Sequence, residues 1–302
     1  MRLHVEHVTR YAYARPVALH RHRLVLRPRE GHDLRVEAMQ LTLTPASTVE
    51  WVRDVFGNSI ALVEWLEPAA EMTIVNDLVI ERMTPFPARA RHEPRHVPFP
   101  PQYDPLELAV TAVYAQPTYL DDVPAIQTWL HGEPAPDPHD AEGVMLALCK
   151  RVHATIGYQR RTEKGTQSPA QTLALGTGSC RDMATLLMEA ARARGVAARF
   201  ASGYLHGRAS MAAAASTHAW AEVYLPTLGW RGLDPTIGDV TGPSHIVTGV
   251  STHPRGVMPV SGTFTGAPGD YLGLTVTVKT TLLPDGGSGI DSACIPAEPR
   301  RS

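Results

Sequence analysis

The sequence lacks a long hydrophobic run, an excess of positive charge and a paired set of cysteines. No apolar run reaches the roughly 18 residues of a membrane-spanning helix, and the N-terminus has no apolar signal-peptide core. The 28 basic and 30 acidic side chains give a formal net charge of −2, which disfavours binding to nucleic-acid phosphates. We therefore expect no nucleic-acid partner and no membrane partner, and the oligomeric state stays open.

Only three cysteines occur, namely Cys149, Cys180 and Cys294. An odd number at wide spacing suits neither a disulfide framework nor a four-ligand zinc site, and a reducing cytoplasm is the simplest compartment for such a chain. The sequence contains no dinucleotide-binding or phosphate-binding glycine motif. Five N-terminal histidines fall on different strand faces without a cysteine or paired acid: His4, His7, His20, His22 and His32. Neither a cofactor nor a metal is expected.

Composition and periodicity predict an α+β protein of three regions. Residues 1–95 hold short alternating strands separated by turn residues, which is typical of an antiparallel β domain, and a proline-rich connector follows them. Residues 96–250 mix helical and strand patterns and are interpreted as a second, α+β region that forms the core. Residues 251–302 contain one strong strand, Leu274–Val278, and a glycine-rich tail.

Three segments of the core that precede residue 176 have helical features. Apolar spacing predicts helices over 121–130 and 140–155, and Cys149 is interpreted as a packing residue of the second. Ser168 followed by Pro169 is typical of a helix start, and that short helix is expected to stop at Gly176.

The most informative segment is Gly-Thr-Gly-Ser-Cys-Arg-Asp at residues 176–182. Apolar side chains recur at helical spacing from Cys180 onward, which predicts a helix that begins at the cysteine and ends at Gly195. The thiol then lies in the first turn, where free N–H groups and the helix dipole favour a thiolate nucleophile. A buried packing cysteine is the alternative, but the preceding glycines would let other groups approach the sulfur. Asp182 is interpreted as favourable first-turn charge.

A strand that begins at His218 supplies the candidate base. His218, Trp220, Glu222 and Tyr224 alternate with alanine and aliphatic residues of the core face. The polar and aromatic face is therefore expected to border a cleft or solvent. On that face a solvated Glu222 is expected, with a substrate contact as its alternative. Trp220 and Tyr158 are candidates for the cleft wall, and aromatic core packing explains both equally well.

The returning strand ends at Asp234, the candidate orienting acid. A carboxylate on the far ring nitrogen of His218 would fix the imidazole tautomer and stabilise the imidazolium. A two-residue hairpin loop would place Asp234 on the opposite face of the hairpin. We therefore expect either a three-residue loop or a bulge at Gly232.

Together these segments resemble the bacterial transglutaminase-like superfamily. The resemblance is carried by Gly-Ser-Cys-Arg-Asp at 178–182, Ser-Gly-Tyr-Leu at 202–205, His-Ala-Trp-Ala-Glu-Val-Tyr at 218–224 and the segment 229–238, which contains Asp-Pro-Thr-Ile-Gly. Val-Thr-Arg-Tyr-Ala-Tyr at 8–13, Leu-Arg-Pro-Arg at 26–29 and Asp-Val-Phe-Gly-Asn at 54–58 are similar to the β-rich N-terminal domain of one bacterial branch. The Gly-Arg-Asp run that often follows the His-Ile strand in such proteins is absent here.

The resemblance implies a papain-like α+β core in which Cys180 is the nucleophile, His218 the base and Asp234 the orienting acid. It implies cysteine-dependent acyl transfer on a peptide or protein substrate, as in a protease, an amidase or a transglutaminase. Hydrolysis and transamidation share one acyl-enzyme and stay open. The alternatives are a non-catalytic binding module that keeps the cleft and an assembly protein that uses the β domain as its interface.

Overall fold

The computed structural model describes residues 1–83, 97–131, 137–161, 165–207 and 217–284. The connector prolines Pro85, Pro87 and Pro94, the glycine-rich tail and Cys294 lie outside the described residues. In chain order the strands are β1 (Arg2–Leu19), β2 (His22–Leu24), β3 (Leu34–Thr44), β4 (Ser47–Arg53), β5 (Ser59–Trp65), β6 (Ala69–Arg82), β7 (Gly157–Tyr158), β8 (Thr177–Gly178), β9 (Ala198–Leu205), β10 (His218–Leu225), β11 (Gly229–Asp234), β12 (Asp239–Val240), β13 (His245–Ser251), β14 (Val260–Ser261), β15 (Phe264–Thr265) and β16 (Tyr271–Leu283). The α-helices are α1 (Pro105–Ala115), α2 (Val123–Leu130), α3 (Ala141–Thr155), α4 (Pro169–Leu175) and α5 (Cys180–Ala193).

The N-terminal region forms two antiparallel sheets, as the alternating strands predict. The first has the order β15-β1-β6-β3 with β16 also on β1, and the second has the order β14-β2-β5-β4. Strand β1 alternates buried and partly exposed residues, so that Leu3, Val5, His7 and Thr9 all point inward. The strand-rich region therefore precedes an α+β core, and the predicted fold class is confirmed.

The C-terminal strand returns to the N-terminal sheet. The predicted strand Leu274–Val278 lies within β16, which pairs antiparallel with β1 from Arg2 opposite Leu283 to Tyr13 opposite Tyr271. This pairing joins segments more than 250 residues apart, which no local pattern in the sequence could indicate. The division of the chain at residues 95 and 250 stays a prediction.

The core contains an antiparallel sheet of order β12-β11-β10-β9-β13, with α5 packed against β9 and β10. The helices predicted around 121–130 and 140–155, and the short helix that stops at Gly176, are present as α2, α3 and α4. Helix α1 was not predicted, because it follows a proline-rich stretch. Asp104 caps it by accepting a hydrogen bond from the Leu106 N–H, and Pro105 occupies its first position.

Helix α5 is buried on nearly all sides, including the face that holds its polar residues. Asp182, Thr185, Glu189 and Arg192 are all buried on that face. Glu189 and Arg192 form an ion pair of 2.6 Å, and both bond to neighbouring segments of the chain. The polar residues of this face therefore connect segments inside the core.

The two N-terminal sheets are joined to the core by buried polar contacts. The Asn58 side chain donates to the Val250 carbonyl at 2.8 Å and accepts from the Val250 N–H at 2.9 Å, as a neighbouring strand would. Tyr204, which lies on β9 of the core, packs against Leu3 and Leu78 of the N-terminal sheet. None of the helices in the described part of the chain has the length and apolar character needed to span a membrane.

Candidate active site

The backbone before Cys180 fixes the start of α5. Gly176 ends α4 in the left-handed conformation with φ of 65°, and the Gly157–Tyr158 strand then pairs with Thr177–Gly178. A Cβ on Gly178 would lie 2.9 Å from the Asp182 Cβ. Gly178 is thus required because Asp182 lies so close to it. The expected reason, that glycine lets other groups approach the sulfur, does not apply to Gly178.

Asp182 holds the loop that precedes Cys180 through hydrogen bonds. Its carboxylate is fully buried and accepts hydrogen bonds from the N–H and the hydroxyl of Ser179, both at 2.8 Å. It also accepts from the Gln167 N–H at 2.7 Å and from the Arg161 guanidinium at 3.1 Å. Asp182 is the acidic residue of the first turn of α5, as the sequence predicts. Its carboxylate is buried, however, and stabilises the loop through these hydrogen bonds.

The hairpin between β10 and β11 places Asp234 beside His218. Leu225 pairs with Gly229 across a three-residue loop, and Ala221 pairs with Leu233, so the register continues without a bulge at Gly232. Asp234 therefore shares the His218 face, and its Oδ2 lies 2.7 Å from the His218 Nε2. The three-residue loop is confirmed. Gly232 has another reason, because a Cβ there would lie 2.1 Å from the Thr241 Oγ1.

Asp234 is fully buried and holds four hydrogen-bond donors. Oδ2 accepts from the Nε2 of His218 and from the Nε2 of His245 at 3.1 Å. Oδ1 accepts from the N–H and the hydroxyl of Thr236, at 2.9 and 2.6 Å. The sequence argument missed His245, because it begins β13, which pairs with β9 and is separated from β11 by two strands, and no local pattern indicates that its side chain reaches Asp234.

The tautomers of both histidines follow from these contacts. The Gly242 N–H donates to the Nδ1 of His245, so the proton of His245 is on Nε2, toward Asp234. The pKa of Asp234 is held far below its usual range, since hydrogen bonds from the two histidines and Thr236 outweigh burial. His218 must therefore also donate from Nε2 to a carboxylate.

The three groups His218, Asp234 and His245 have ligand atoms within 4.8 Å of one another. Both imidazole Nε2 atoms carry protons in this arrangement and have no free lone pair there. The donor set thus fits a hydrogen-bonded network better than a metal site.

Cys180 and His218 perturb each other as a thiolate–imidazolium pair does. Burial raises the pKa of Cys180, but His218 and then Arg181 more than offset it and hold the pKa below that of an ordinary thiol. Burial lowers the pKa of His218, but the contacts with Asp234 and Cys180 raise it to about 10. The Nδ1 of His218 has no well-aligned hydrogen-bond partner among the described residues, so it is the ring nitrogen left for the thiol. By contrast, burial raises the pKa of Cys149.

Cys180 lines a cavity of about 770 Å³ between the core and the N-terminal sheets. The core contributes Tyr158 and Arg181, while Tyr11 of β1 and Leu274 of β16 form part of the opposite wall. Tyr158 is therefore a wall residue, as expected. A site between two structural units is typical of small-molecule and peptide clefts.

The structure settles the open role of Trp220 as core packing and shows that the expected solvation of Glu222 is wrong. Trp220 does not border the cavity but is buried in a cluster with Ala201 and Val250, because the N-terminal region covers this face. Glu222 is not solvated, since it is buried and paired with Arg199 at 2.7 Å. The N-terminal sheets thus bury most of the β10 face that was expected to border a cleft or solvent.

Comparison with known proteins finds two family models that match separate regions of the chain. Residues 3–81 match the family described as the bacterial transglutaminase-like N-terminal region, and residues 127–235 match the transglutaminase-like superfamily. An uncharacterized protein of Mycobacterium tuberculosis (strain ATCC 25618 / H37Rv) is 27% identical over 305 residues, covering 92% of each chain. An uncharacterized protein of Mycobacterium leprae (strain TN) is 23% identical, covering 92% of this chain and 98% of its own.

A solved structure shares the whole architecture. The crystal structure of a candidate cysteine protease from Cytophaga hutchinsonii has a TM-score of 0.70, with 14% sequence identity. The match covers 94% of this chain and 92% of that one, and at this identity it shows the fold. By the two family matches, residues 127–235 belong to the transglutaminase-like superfamily and residues 3–81 to the bacterial transglutaminase-like N-terminal region.

Proposed function

We propose that the protein is a cysteine-dependent acyl-transfer enzyme that acts on peptide or protein amides. The observation that carries this proposal is the buried 2.7 Å hydrogen bond between Asp234 and the Nε2 of His218, which leaves the His218 Nδ1 for the thiol. The influence of His218, which lowers the pKa of the Cys180 thiol, supports it. Such a carboxylate–imidazole–thiol arrangement activates a nucleophile and stores the proton that the leaving group needs. Membership in the superfamily supports the same chemistry.

In this reaction the Cys180 thiolate attacks the amide carbonyl carbon and forms a tetrahedral oxyanion. His218 then gives its Nδ1 proton to the leaving amine as the carbon–nitrogen bond breaks, which leaves a thioester on Cys180. The Cys180 backbone N–H, at the first position of α5, is a donor for the oxyanion. Water or a second amine, deprotonated by His218, attacks the thioester and restores the thiolate. No metal or cofactor takes part in the proposed reaction.

The test is reaction with iodoacetamide at pH 6, with the modified residue located by mass spectrometry. We expect rapid, stoichiometric labelling of Cys180, loss of labelling in Cys180→Ala, and unchanged labelling in Cys149→Ala, because Cys149 is fully buried. Slow labelling typical of an ordinary thiol would overturn the proposal and favour a non-catalytic binding module.

A peptide screen then identifies the reaction. Glutamine-containing and general peptides are incubated with and without a primary amine, and three products are measured: ammonia, a cleaved chain and an incorporated amine. Hydrolysis releases ammonia or cleaves the chain, whereas transamidation incorporates the amine. Failure of every peptide to react with wild-type protein whose Cys180 labels rapidly would contradict peptide amides as the substrate.

We also propose a cytoplasmic location. A nucleophilic Cys180 and a free Cys149 need a reducing compartment to stay as thiols. Cell fractionation followed by immunodetection tests this location, and recovery outside the cytoplasmic fraction would contradict it.

A further inference from the structure

The charges around the catalytic cavity are unbalanced. Three arginines line it, namely Arg160, Arg161 and Arg181, and the described residues around it include no aspartate or glutamate. The two cavity histidines, His7 and His22, have pKa values lowered by burial, so they are neutral at neutral pH. A cleft lined by charge of one sign attracts ligands of the opposite sign.

The three arginines differ in what neutralises them. Arg161 is paired with Asp182 at 3.1 Å. Arg181, which follows the nucleophile directly, has no carboxylate within ion-pair distance among the described residues, and its Nη1 is 3.5 Å from the Met258 Sδ. Its neighbour Asp182 accepts its bonds from Ser179, Gln167 and Arg161 instead. A half-buried guanidinium on a weak sulfur acceptor has unused donors beside the reacting atom.

Arg160 adds a second cation at the same cavity. Its side chain is exposed and has no ion-pair partner among the described residues. Arginine presents a planar fork that suits a carboxylate bidentately, and a charge-assisted pair is stronger than a neutral hydrogen bond. The cavity thus offers two unpaired guanidinium groups, one of them next to the sulfur.

We infer that the acyl donor of this enzyme carries a carboxylate next to the scissile amide, and that Arg181 binds it. This inference rests on the proposed function, since it concerns what the Cys180 thiolate attacks. It assigns Arg181 a specificity role. The alternative role for Arg181 is stabilisation of the thiolate alone, and the test must separate the two.

The test compares iodoacetate with iodoacetamide, which differ in one carboxylate. In both cases the thiolate sulfur bonds to the methylene carbon as the carbon–iodine bond breaks and iodide leaves. The ratio of the two rates cancels the thiolate fraction, because both reagents need the same thiolate. A change in thiol pKa alone therefore leaves the ratio constant.

We expect the iodoacetate-to-iodoacetamide ratio for Cys180 to exceed that for glutathione at the same pH. Arg181→Gln should lower the ratio by about five- to tenfold, as expected for removal of a unit charge close to the carboxylate of iodoacetate. Arg181→Lys should give an intermediate ratio, because it keeps the charge and loses the fork. The excess should also fall as salt concentration rises.

Arg10→Gln is the matched control. Arg10 is an exposed arginine on β1 between Thr9 and Tyr11, which line the cavity, so its side chain points to the opposite face. It removes the same charge and should leave the ratio unchanged. Equal loss of both rates in Arg181→Gln would assign Arg181 to the thiolate only and overturn the inference. Slow labelling by both reagents in the wild type would instead overturn the proposed function.

Matched peptides separate the two sources of a carboxylate. One pair differs only by Glu or Gln beside the scissile amide, and a second pair differs only by a free or amidated C-terminus. A preference for the Glu peptide assigns the carboxylate to a side chain, whereas a preference for the free terminus assigns it to the end of a chain. Preference for the neutral member of both pairs would contradict an anionic substrate.

Discussion

Cys180 and His218, the proposed nucleophile and base, lie in a buried site in which neither charged form would be stable alone. Burial disfavours the thiolate of Cys180 and the imidazolium of His218 separately. The pair is maintained because Asp234 is a carboxylate with every acceptor position filled by a donor. The carboxylate of Asp234 thus stabilises the imidazolium of His218, and the imidazolium stabilises the thiolate of Cys180.

The pH dependence of alkylation follows from the pKa of Cys180. Its pKa lies below that of an ordinary thiol, so the iodoacetamide rate at pH 6 should exceed that of an ordinary thiol and should level off at a lower pH. In His218→Ala the largest lowering influence is lost and burial dominates, so the pKa should rise and the rate at pH 6 should fall at least about tenfold, a full pH unit of thiolate. Rate profiles from pH 4 to about pH 10 measure this.

Cys149→Ala is the control for that profile. The Cys149 side chain is fully buried and its pKa is raised by burial, so its removal should leave the profile unchanged. A wild-type profile that rises only near the pKa of a free thiol would contradict the ion pair.

Asp234→Asn should weaken the base more than its similar shape suggests. All four groups around Asp234 are donors, so the asparagine NH₂ must face either Thr236 or the two histidines. The pKa of His218 should fall from about 10 toward about 6.5, because the carboxylate charge is lost. Turnover should fall by about 100-fold or more, by analogy with other orienting acids. Histidine NMR titration and the peptide assay measure the two effects.

Thr236→Val provides the comparison for Asp234→Asn. It removes one donor from Oδ1 and leaves the carboxylate charge and both histidine contacts in place. The pKa of His218 should therefore stay well above about 6.5. An equal fall of that pKa in both variants would contradict the carboxylate charge as its cause.

At the scale of single elements, helix α5 and the β10–β11 hairpin carry the site. The helix begins at the cysteine and the hairpin loop sets the parity of Asp234, and both features follow from local sequence. The glycine spacing, the apolar stripe and the three-residue loop were therefore predictable. The burial of Glu222 and the bond from His245 were not, since both depend on which strands and sheets lie next to β10.

The buried pair on α5 should be a major source of stability. Glu189 accepts from Arg192 at 2.6 Å and from the Thr118 N–H and hydroxyl at 3.1 and 2.7 Å. Glu189→Ala leaves the Arg192 charge buried and unpaired, so the free energy of unfolding should fall by about 3–5 kcal/mol. Urea unfolding measures this change.

Two further variants keep that prediction decidable. Glu189→Gln retains an acceptor for Arg192 and should lose less stability than alanine. Glu67→Ala removes an exposed carboxylate and should change the free energy of unfolding by less than about 0.5 kcal/mol. Equal effects of Glu189→Ala and Glu67→Ala would show that the buried pair is not important for stability.

On the scale of the whole molecule, the N-terminal sheets form part of the cavity that Cys180 lines. β1 and β16 form one wall, and β16 reaches that position only by pairing with β1. Removal of residues 1–95 would therefore leave β16 without its partner strand and open the cavity. A truncated chain would report damage to the site, so point variants at the contact are the better test of what the N-terminal region does.

Asn58→Ala is that variant, and it should destabilise the whole chain. Asn58 is fully buried, and its loss leaves the N–H and the carbonyl of Val250 without partners, at a cost of about 2–4 kcal/mol in the free energy of unfolding. Urea unfolding followed by tryptophan fluorescence should show a lower midpoint.

The same turn supplies the control. Val55 is 92% exposed, and Val55→Ala should leave the midpoint unchanged. The Asn58→Ala protein should also lose part of its preference for iodoacetate in native buffer, because the wall opposite Arg181 is less firmly held and water reaches the guanidinium. An unchanged midpoint in Asn58→Ala would mean that the N-terminal sheets and the core are held together by their apolar contacts alone.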